Sequence, residues 1–296
     1  IMSITWQNLS VIIVSYKSEN VIENCINSID PEIEIIVIDN SNNYELKKKV
    51  EAKYKNVKCI LSKENLGMGA GNNLGIKNVN KDFALILNPD VVLEKNSMNE
   101  IFTVSKEIDD FAILAPISTK NEYPNYILKK NHNFDSVKPF KVKSVDGFAM
   151  LLNVKKLNQI DSFKNFKFFD ENIFLYLEND DLCKRLFENN ENIFIVPKSK
   201  INHLGAKAVS YKFSDSIELS RNWHWIWSKF YFHKKHSNYL TALIYGFPSF
   251  FSAILKYLFY LITLNSKRRA VYLHRALGYL NAALGKKSFY RPNLKI

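Results

Sequence analysis

The chain has 296 residues, with 41 Lys or Arg against 29 Asp or Glu, so its formal charge is +12. This length suits one large α/β domain or one domain with an appendage, and the charge favours polyanionic partners such as nucleic acid, anionic lipid or phosphorylated substrates. The three cysteines are widely spaced and form no CxxC motif. This spacing argues against a disulfide framework or a structural zinc site and indicates a reducing cytoplasm.

The first ninety residues alternate short apolar strands with polar helices. The strands are predicted at 9–16, 32–40, 57–62 and 83–90, and the helices at 18–29 and 44–54 and after residue 69. The apolar runs are continuous, which is typical of parallel strands covered on both faces. The pattern predicts an α/β fold with an open, mostly parallel sheet that binds ligands at the carboxyl ends of its strands. Later segments predict strands at 145–153 and 192–197 and a helix at 178–190.

Two acids stand where predicted strands end. Asp39 ends "EIIVID", where its carboxylate could accept the imide N–H of uracil or thymine. The alternative is that Asp39 caps the next helix, because "DNSNN" is rich in capping residues. Asp90 follows Pro89 after "ALIL", which suits a group that holds a divalent cation against a diphosphate. Its alternative is an Asx turn.

The predicted helix at 178–190 opens with acids, and a histidine follows the last strand. Stabilisation of the helix dipole explains the acids, and Asp181 with Arg185 has the spacing of an i,i+4 ion pair. The aromatic residues before the helix would alternatively place Glu178 beside an apolar wall, where a carboxylate becomes a candidate general base. His203 in "KINHLG" is a candidate metal ligand, although a lone histidine is more often structural.

In their order and spacing, seven segments resemble the family 2 inverting glycosyltransferases with a GT-A fold, particularly the bacterial rhamnosyltransferase-like branch. They are "VIIVSYKS", "IIVIDNSN", "ENLGMGAGNNLGIK", "ALILNPDVVL", "VDGFAMLLNVKKL", "FDENIFLYLENDDLCKR" and "INHLG". The resemblance covers residues 9–210 and implies a Rossmann-like sheet flanked by helices. It also implies a nucleotide-sugar donor, with dTDP-L-rhamnose first, and a Mg²⁺ or Mn²⁺ cofactor.

The resemblance also implies which residues bind the nucleotide sugar. Ser15 and Asp39 would line the base and ribose site, and Asn65 and Asn72 would lie on the loop that flanks the nucleotide.

The metal site follows from the same resemblance. Asn88 and Asp90 occupy the family's Asp-x-Asp element in its Asn-Pro-Asp form, so Asp90 would coordinate the cation that bridges to the donor diphosphate. His203 stands where related transferases supply a further metal ligand.

One position departs from the family pattern. Many relatives read Glu-Asp-x-Asp where this chain has Glu178, Asn179, Asp180 and Asp181, and their second acid is often the base. An amide does not accept a proton near neutral pH. We therefore assign the base role to Glu178 with Asp181 as the alternative, and a non-catalytic sugar-nucleotide or glycan-binding relative stays open.

The last part of the chain, 213–296, is aromatic and basic and is predicted to be a helical appendage to a catalytic domain at 1–212. The apolar stretch 239–264 is interrupted by Gly246, Pro248 and Lys256, so we predict helices in the membrane interface rather than a span. The basic group 267–269 would meet anionic lipid. The alternatives are a helical hairpin packed on the catalytic domain or a homodimer interface.

A membrane-facing appendage predicts the acceptor and the location of the protein. The acceptor would be a polyprenyl-linked saccharide or a growing oligosaccharide, and the protein would be cytoplasmic and peripheral on the inner leaflet of the cell membrane. Aromatic residues mixed with basic ones could instead stack on nucleic acid. We disfavour nucleic acid because the strand-end acids would repel phosphate where no metal is present.

Overall fold

The computed structural model describes residues 3–108, 110–119, 124–128, 135, 137–205, 209, 211–292 and 294. The chain divides into two compact units, Ile1–Asp170 with Asn179–Ser210, and Glu171–Glu178 with Tyr211–Ile296. The predicted boundary near residue 213 lies close to the second of these junctions. The structure differs in adding the segment 171–178 to the helical unit, because that segment packs with residues far along the chain.

The first unit is an α/β structure. Its strands are β1 (Leu9–Ser15), β2 (Glu34–Asp39), β3 (Val57–Leu61), β4 (Phe83–Leu87), β5 (Val91–Leu93), β6 (Ile113–Ser118), β7 (Tyr126–Leu128), β8 (Phe140–Val145), β9 (Ala149–Asn153) and β10 (Ile193–His203). Its helices are α1 (Ile22–Asn27), α2 (Tyr44–Lys53), α3 (Met68–Lys77), α4 (Ser97–Glu107), α5 (Val154–Leu157) and α6 (Glu178–Glu188), of which α6 starts in the last residue of the other unit's segment.

The sheet runs in the order β3-β2-β1-β4-β9-β6-β10-β8-β7, and β5 pairs with β10. The strands β1 to β4 are parallel to one another, as are β6 and β10. By contrast, β9 runs antiparallel between β4 and β6, and β5, β7 and β8 also make antiparallel pairs. The predicted α/β fold is confirmed. The parallel strands β1 to β4 are those that the continuous apolar runs of the first ninety residues predict.

The central strand β1 shows why the apolar runs become parallel strands. All seven of its residues are buried, with Val11 and Ile13 in the core on one face and Ile12 and Val14 in the core on the other. Each fully buried side chain of this size contributes roughly 1.5–3 kcal/mol relative to exposure. A strand buried on both faces has no polar alternation, which is why the run is continuous.

Two glycines bring helix α3 unusually close to β1. A Cβ at Gly71 would lie 2.8 Å from Val14 Cγ1, and one at Gly75 would overlap Ile12 Cγ2. This close approach buries the polar residues between the glycines, Asn72 at 2% and Asn73 at 0% exposure. Asn73 is held there by two hydrogen bonds with the main chain of Phe169, to which its Nδ2 donates at 2.8 Å and from which its Oδ1 accepts at 3.0 Å.

The second unit contains three long helices, α7 (Ser214–His236), α8 (Tyr239–Ile262) and α9 (Ser266–Ala283). They pack around a core that includes Trp223, Trp227, Phe230 and Tyr279. The helix α8 runs without a break through Gly246 and Pro248, two of the residues that interrupt the apolar stretch of the sequence. A Cβ at Gly246 would lie 2.5 Å from the Tyr279 ring, so this glycine permits close packing of α8 on α9.

Candidate active site

Two polar side chains meet at the ends of β1 and β2. Ser15 and Asp39 are register partners in the parallel pair, and neither is exposed. Within the described residues, neither Ser15 Oγ nor Asp39 Oδ1 has a hydrogen-bond partner. Burial raises the pKa of Asp39, while the main-chain N–H groups of Asn43 and Ser41 act to lower it.

The structure assigns the cap of α2 to Asn43 rather than to Asp39. The Asn43 side chain accepts a hydrogen bond from the Leu46 N–H at 3.1 Å, whereas Asp39 Oδ2 accepts one from the Asn43 N–H at 2.7 Å. The second oxygen of Asp39 therefore stays available. The capping alternative for Asp39 is wrong because the helix begins further along the chain, at Tyr44.

The loop before α3 is held by side-chain amides. Asn65 Oδ1 accepts the Gly67 N–H at 3.1 Å, and Asn40 Nδ2 donates to the Gly67 carbonyl at 3.0 Å. Gly67 has φ 84°, a left-handed conformation that favours glycine. Asn72 was predicted on this loop but lies within α3, and its Oδ1 is buried without a hydrogen-bond partner in the described part of the chain. Of the two predicted loop residues, Asn65 shapes the loop and Asn72 offers a free acceptor.

The short strand β5 brings Asp90 and His203 together. Val91 of β5 pairs with His203 of β10, and the Leu204 N–H donates to the Asp90 carbonyl at 3.1 Å. As a result His203 Nε2 lies 3.5 Å from Asp90 Oδ1, which has no hydrogen-bond partner among the described residues. Asp90 is 2% exposed. The two predicted metal ligands are therefore neighbours.

Neighbouring groups orient this pair. The Phe148 ring stacks on His203 with centroids 4.2 Å apart and planes at 25°. The Phe148 carbonyl accepts the Asn88 N–H at 2.9 Å, which places Asn88 beside the same turn. Asn88 Oδ1 is buried and finds no partner within the described ranges.

The side chains of Asp90, His203 and Asn88 could supply some of the ligands of a divalent cation whose other ligands come from a substrate. No group of three or more His, Cys, Asp or Glu side chains lies within reach of one cation in the described residues. Asp90 and His203 can provide two ligands and the Asn88 amide oxygen a third. Mg²⁺ and similar cations commonly take one or two carboxylates together with substrate phosphates and water, so this incomplete set fits them.

Two further acids, Asp146 and Asp180, lie at this edge of the sheet. Neither is among the site residues that the sequence predicts. Burial raises the pKa of Asp146, and the neighbouring His203 acts to lower it. The pKa of Asp180 is raised to about 6, mainly by burial and secondly by the charge of Asp146. A hydrogen bond from Ser144 acts to lower it. Asp180, Asp146, His203 and Asp90 therefore form a row of interacting ionisable groups.

The direction of β9 explains why Asp146 was missed. The sequence predicts one strand at 145–153, but β9 begins at Ala149 and runs antiparallel to β4. Because β9 runs antiparallel to β4, the residues just before β9 lie at the edge of the sheet where β4 ends. Asp146 could therefore be placed at this edge only if the direction of β9 were known.

The other residues at the start of α6 make structural contacts. Asn179 Nδ2 donates to the Val145 carbonyl at 2.8 Å. Asp181 is fully buried and accepts from Arg185 Nε at 2.8 Å, which confirms the predicted ion pair. Arg185 also donates to the Phe168 carbonyl. This buried ion pair disfavours Asp181 as the base.

Glu178 belongs to the segment that packs within the helical unit. Burial raises the pKa of Tyr176, the Arg221 guanidinium acts to lower it, and the Glu178 charge acts to raise it. Glu178 therefore lies within electrostatic range of the Tyr176 side chain.

A sheet with a parallel region and buried polar groups at the carboxyl ends of its parallel strands is typical of nucleotide-binding α/β proteins. Residues 10–175 match the family described as "Glycosyl transferase family 2", and the chain belongs to this family. The predicted family is thereby confirmed, and the rhamnosyltransferase-like branch stays a prediction.

The chain is similar to a curated protein and to several solved structures. The "Low-salt glycan biosynthesis hexosyltransferase Agl10" of Haloferax volcanii is 29% identical over 204 residues, 63% of this chain and 64% of that protein. The chain thus spans a little under two thirds of that relative. The structure of S. aureus TarS 1-349 superposes with a TM-score of 0.53 at 15% identity, covering 96% of this chain and 93% of that one.

A third similar protein is the mannosyltransferase PcManGT from Pyrobaculum calidifontis, solved with GDP-Man and Mn²⁺. It superposes with a TM-score of 0.54 at 11% identity, covering 94% of this chain and 86% of that one. At such identities the likeness concerns the fold, and it confirms the predicted GT-A fold.

The raised pKa of Asp180 predicts a specific dependence of stability on pH. A carboxyl whose pKa is higher in the folded protein than its ordinary 3.8 favours folding at low pH. That contribution is lost as the pH rises from about 4 to about 6. Asp180→Asn should therefore be more stable than the wild type at pH 7, by on the order of 1–2 kcal/mol, and similar to it at pH 4.

Urea unfolding from pH 4 to pH 8 measures this difference. Glu188→Gln, at an exposed acid near the end of the same helix, is the matched control and should show no such trend. A difference between Asp180→Asn and wild type that does not change with pH would contradict the assignment.

Proposed function

We propose that this protein is an inverting glycosyltransferase that moves a sugar from a nucleotide donor to a hydroxyl group of a saccharide acceptor. The observation that supports it is a set of buried polar atoms without hydrogen-bond partners in the described chain: Ser15 Oγ, Asp39 Oδ1, Asn72 Oδ1, Asn88 Oδ1 and Asp90 Oδ1. Buried polar atoms are nearly always hydrogen-bonded in folded proteins. A polar ligand at the strand ends would satisfy these.

The donor would be held at three points. Asp39 Oδ1 would accept the imide N–H of uracil or thymine, and Ser15 would meet the nucleoside beside it. Asn72 would bind from α3. Asp90, with His203 and Asn88, would hold Mg²⁺ or Mn²⁺, which neutralises negative charge on the leaving diphosphate when bound.

Glu178 would act as the general base. Its carboxylate accepts the proton of the acceptor hydroxyl, whose oxygen attacks the anomeric carbon on the face opposite the diphosphate. The bond from that carbon to the diphosphate oxygen breaks, its electron pair leaves with the nucleoside diphosphate, and the configuration inverts. No covalent bond between sugar and protein is required.

The first donor that we propose is dTDP-L-rhamnose, on the sequence resemblance to the rhamnosyltransferase-like branch. Guanine also offers a ring N–H that Asp39 could accept, so GDP-sugars are the first competitor. The acceptor would be a lipid-linked saccharide or a growing surface polysaccharide. The second candidate function, a binding protein without turnover, is favoured only by Asn179, whose amide donates to a main-chain carbonyl.

The proposed location is the cytoplasmic surface of the membrane, with α8 in the interface. By length and composition α8 could also cross a membrane, and it is the single helix of the described residues that could. Much of its apolar surface is exposed, including Phe247, Phe251 and Phe259. Arg268 and Arg269 follow at the start of α9, where they could meet anionic lipid headgroups.

Release of nucleoside diphosphate from UDP-, GDP- and dTDP-sugars tests the proposed activity. The wild type should release diphosphate from one donor only when Mn²⁺ or Mg²⁺ and acceptor extract are present. Asp90→Ala and Glu178→Gln should each lower kcat by at least about 100-fold, because each removes a group that acts on developing charge or on the transferred proton. Glu188→Gln is the matched control and should leave turnover unchanged.

A wild type that binds a donor but never releases its diphosphate, even with lipid-linked acceptors supplied, would contradict the proposal. The binding-protein alternative would then explain the site.

Flotation with liposomes that contain anionic lipid tests the membrane proposal. The wild type should float with the liposomes, and a variant with Phe251→Glu and Phe259→Glu should stay in the soluble fraction, because buried carboxylates are costly in an apolar interface. Ile127→Glu, at an exposed apolar residue of β7, is the control and should float. Equal flotation of all three proteins would remove the membrane proposal.

A further inference from the structure

The residues just before Glu178 have an unusual backbone. Tyr176 and Leu177 have φ values of 69° and 67°, so two consecutive residues other than glycine are left-handed. Such conformations cost free energy and persist only where the surrounding structure holds them. They cluster at functional sites, and here they come directly before the residue that the proposed function makes the base.

Helix α7 contacts this backbone at two adjacent residues. Ser228 Oγ donates to the Leu175 carbonyl at 2.8 Å, and Ser228 is fully buried. The next ring along the segment, Tyr176, packs edge-on against Trp225 with centroids 5.4 Å apart and planes at 87°. The hydrogen bond fixes the main chain before the strained pair, and the ring contact fixes its first side chain.

A third contact involves the end of the chain. Phe174 lies against His224 of α7 with centroids 4.5 Å apart, and the Arg291 guanidinium lies 3.7 Å from the Phe174 ring centroid. His224 Nε2 is 2.8 Å from the Tyr290 carbonyl, and Nδ1 is 3.1 Å from Ser288 Oγ. Burial lowers the pKa of His224 to about 4. The neutral ring can therefore donate to Tyr290 and accept from Ser288.

We infer that α7 and the residues 288–291 are positioning elements for the base: they hold the backbone of 174–177 so that Glu178 is presented in one orientation. This inference rests on the proposed function. It gives the helical unit a role in catalysis in addition to any role at a membrane. Ser228 and Trp225 are the positioning residues, since they contact Leu175 and Tyr176, which are closer to Glu178 in the chain than Phe174 is.

The first test removes the Ser228 hydroxyl. Ser228→Ala should lower kcat by about 10-fold or more while the donor KM changes by no more than about twofold, because a misplaced base slows the chemical step without weakening donor binding. Trp225→Leu should act in the same direction, and it alters a residue that is 42% exposed, so folding is not at risk.

The matched control is Tyr279→Phe. It also removes a buried hydroxyl that donates to a main-chain carbonyl, that of Leu243 at 3.2 Å, but this bond joins α9 to α8. Tyr279→Phe should keep the wild-type kcat. If the Ser228 contact served packing alone, Ser228→Ala and Tyr279→Phe would behave alike at matched folded fractions.

Hydrogen–deuterium exchange gives a readout that does not depend on activity. Amides of residues 175–178 should exchange faster in Ser228→Ala than in the wild type or in Tyr279→Phe. Unchanged exchange in this segment would overturn the inference.

A parallel measurement with Glu178→Gln separates the two proposals. Wild-type turnover in Glu178→Gln would remove the base assignment and the inference that rests on it. If Glu178→Gln is inactive while Ser228→Ala and Trp225→Leu both keep the wild-type kcat, the proposed function stands and the positioning inference is overturned.

Discussion

The site depends on one piece of strand pairing, between β5 and the last three residues of β10. Strand β10 pairs in parallel with β6 as far as Val196 and, after a register shift, again through Lys200 and Ile201, while Ile201–His203 also pair with β5. The pairing with β5 brings a histidine from late in the chain to within 3.5 Å of Asp90 Oδ1. Loss of the β5–β10 ladder would separate these side chains, and the row of charges that includes Asp146 would lose its histidine.

The electrostatics of this edge are the reverse of those of the whole molecule. The protein has a formal charge of +12, yet Asp90 and Asp146 both interact with His203, and Asp180 interacts with Asp146. Burial raises the pKa of both Asp146 and Asp180, so the edge as it stands disfavours negative charge. A divalent cation would relieve this. An amide at position 179 fits the same pattern, because Asn179 donates to the Val145 carbonyl, a bond that an ionised aspartate cannot make.

The sequence predicted the features that depend on local pattern. Continuous apolar runs marked β1 to β4, and the polar residues at their ends, Ser15, Asp39 and Asp90, lie where parallel strands present their ligands. The position of His203 beside Asp90 depends on the three-residue strand β5, which is too short to predict from periodicity. The role of Asp146 depends on the direction of β9. The membership of 171–178 in the helical unit depends on contacts such as Ser228 to Leu175, which no local pattern encodes.

A crystal structure with Mn²⁺ and UDP or dTDP, in which anomalous scattering locates the manganese, tests the central claim most directly. We predict that the manganese bonds to the Asp90 carboxylate and to the diphosphate, with the base against Asp39 and Ser15. In Asp90→Ala the manganese peak should be lost under the same conditions. A nucleotide bound away from the carboxyl ends of β1, β2 and β4, or a manganese ion that does not contact Asp90, would contradict the claim that this edge is the donor site.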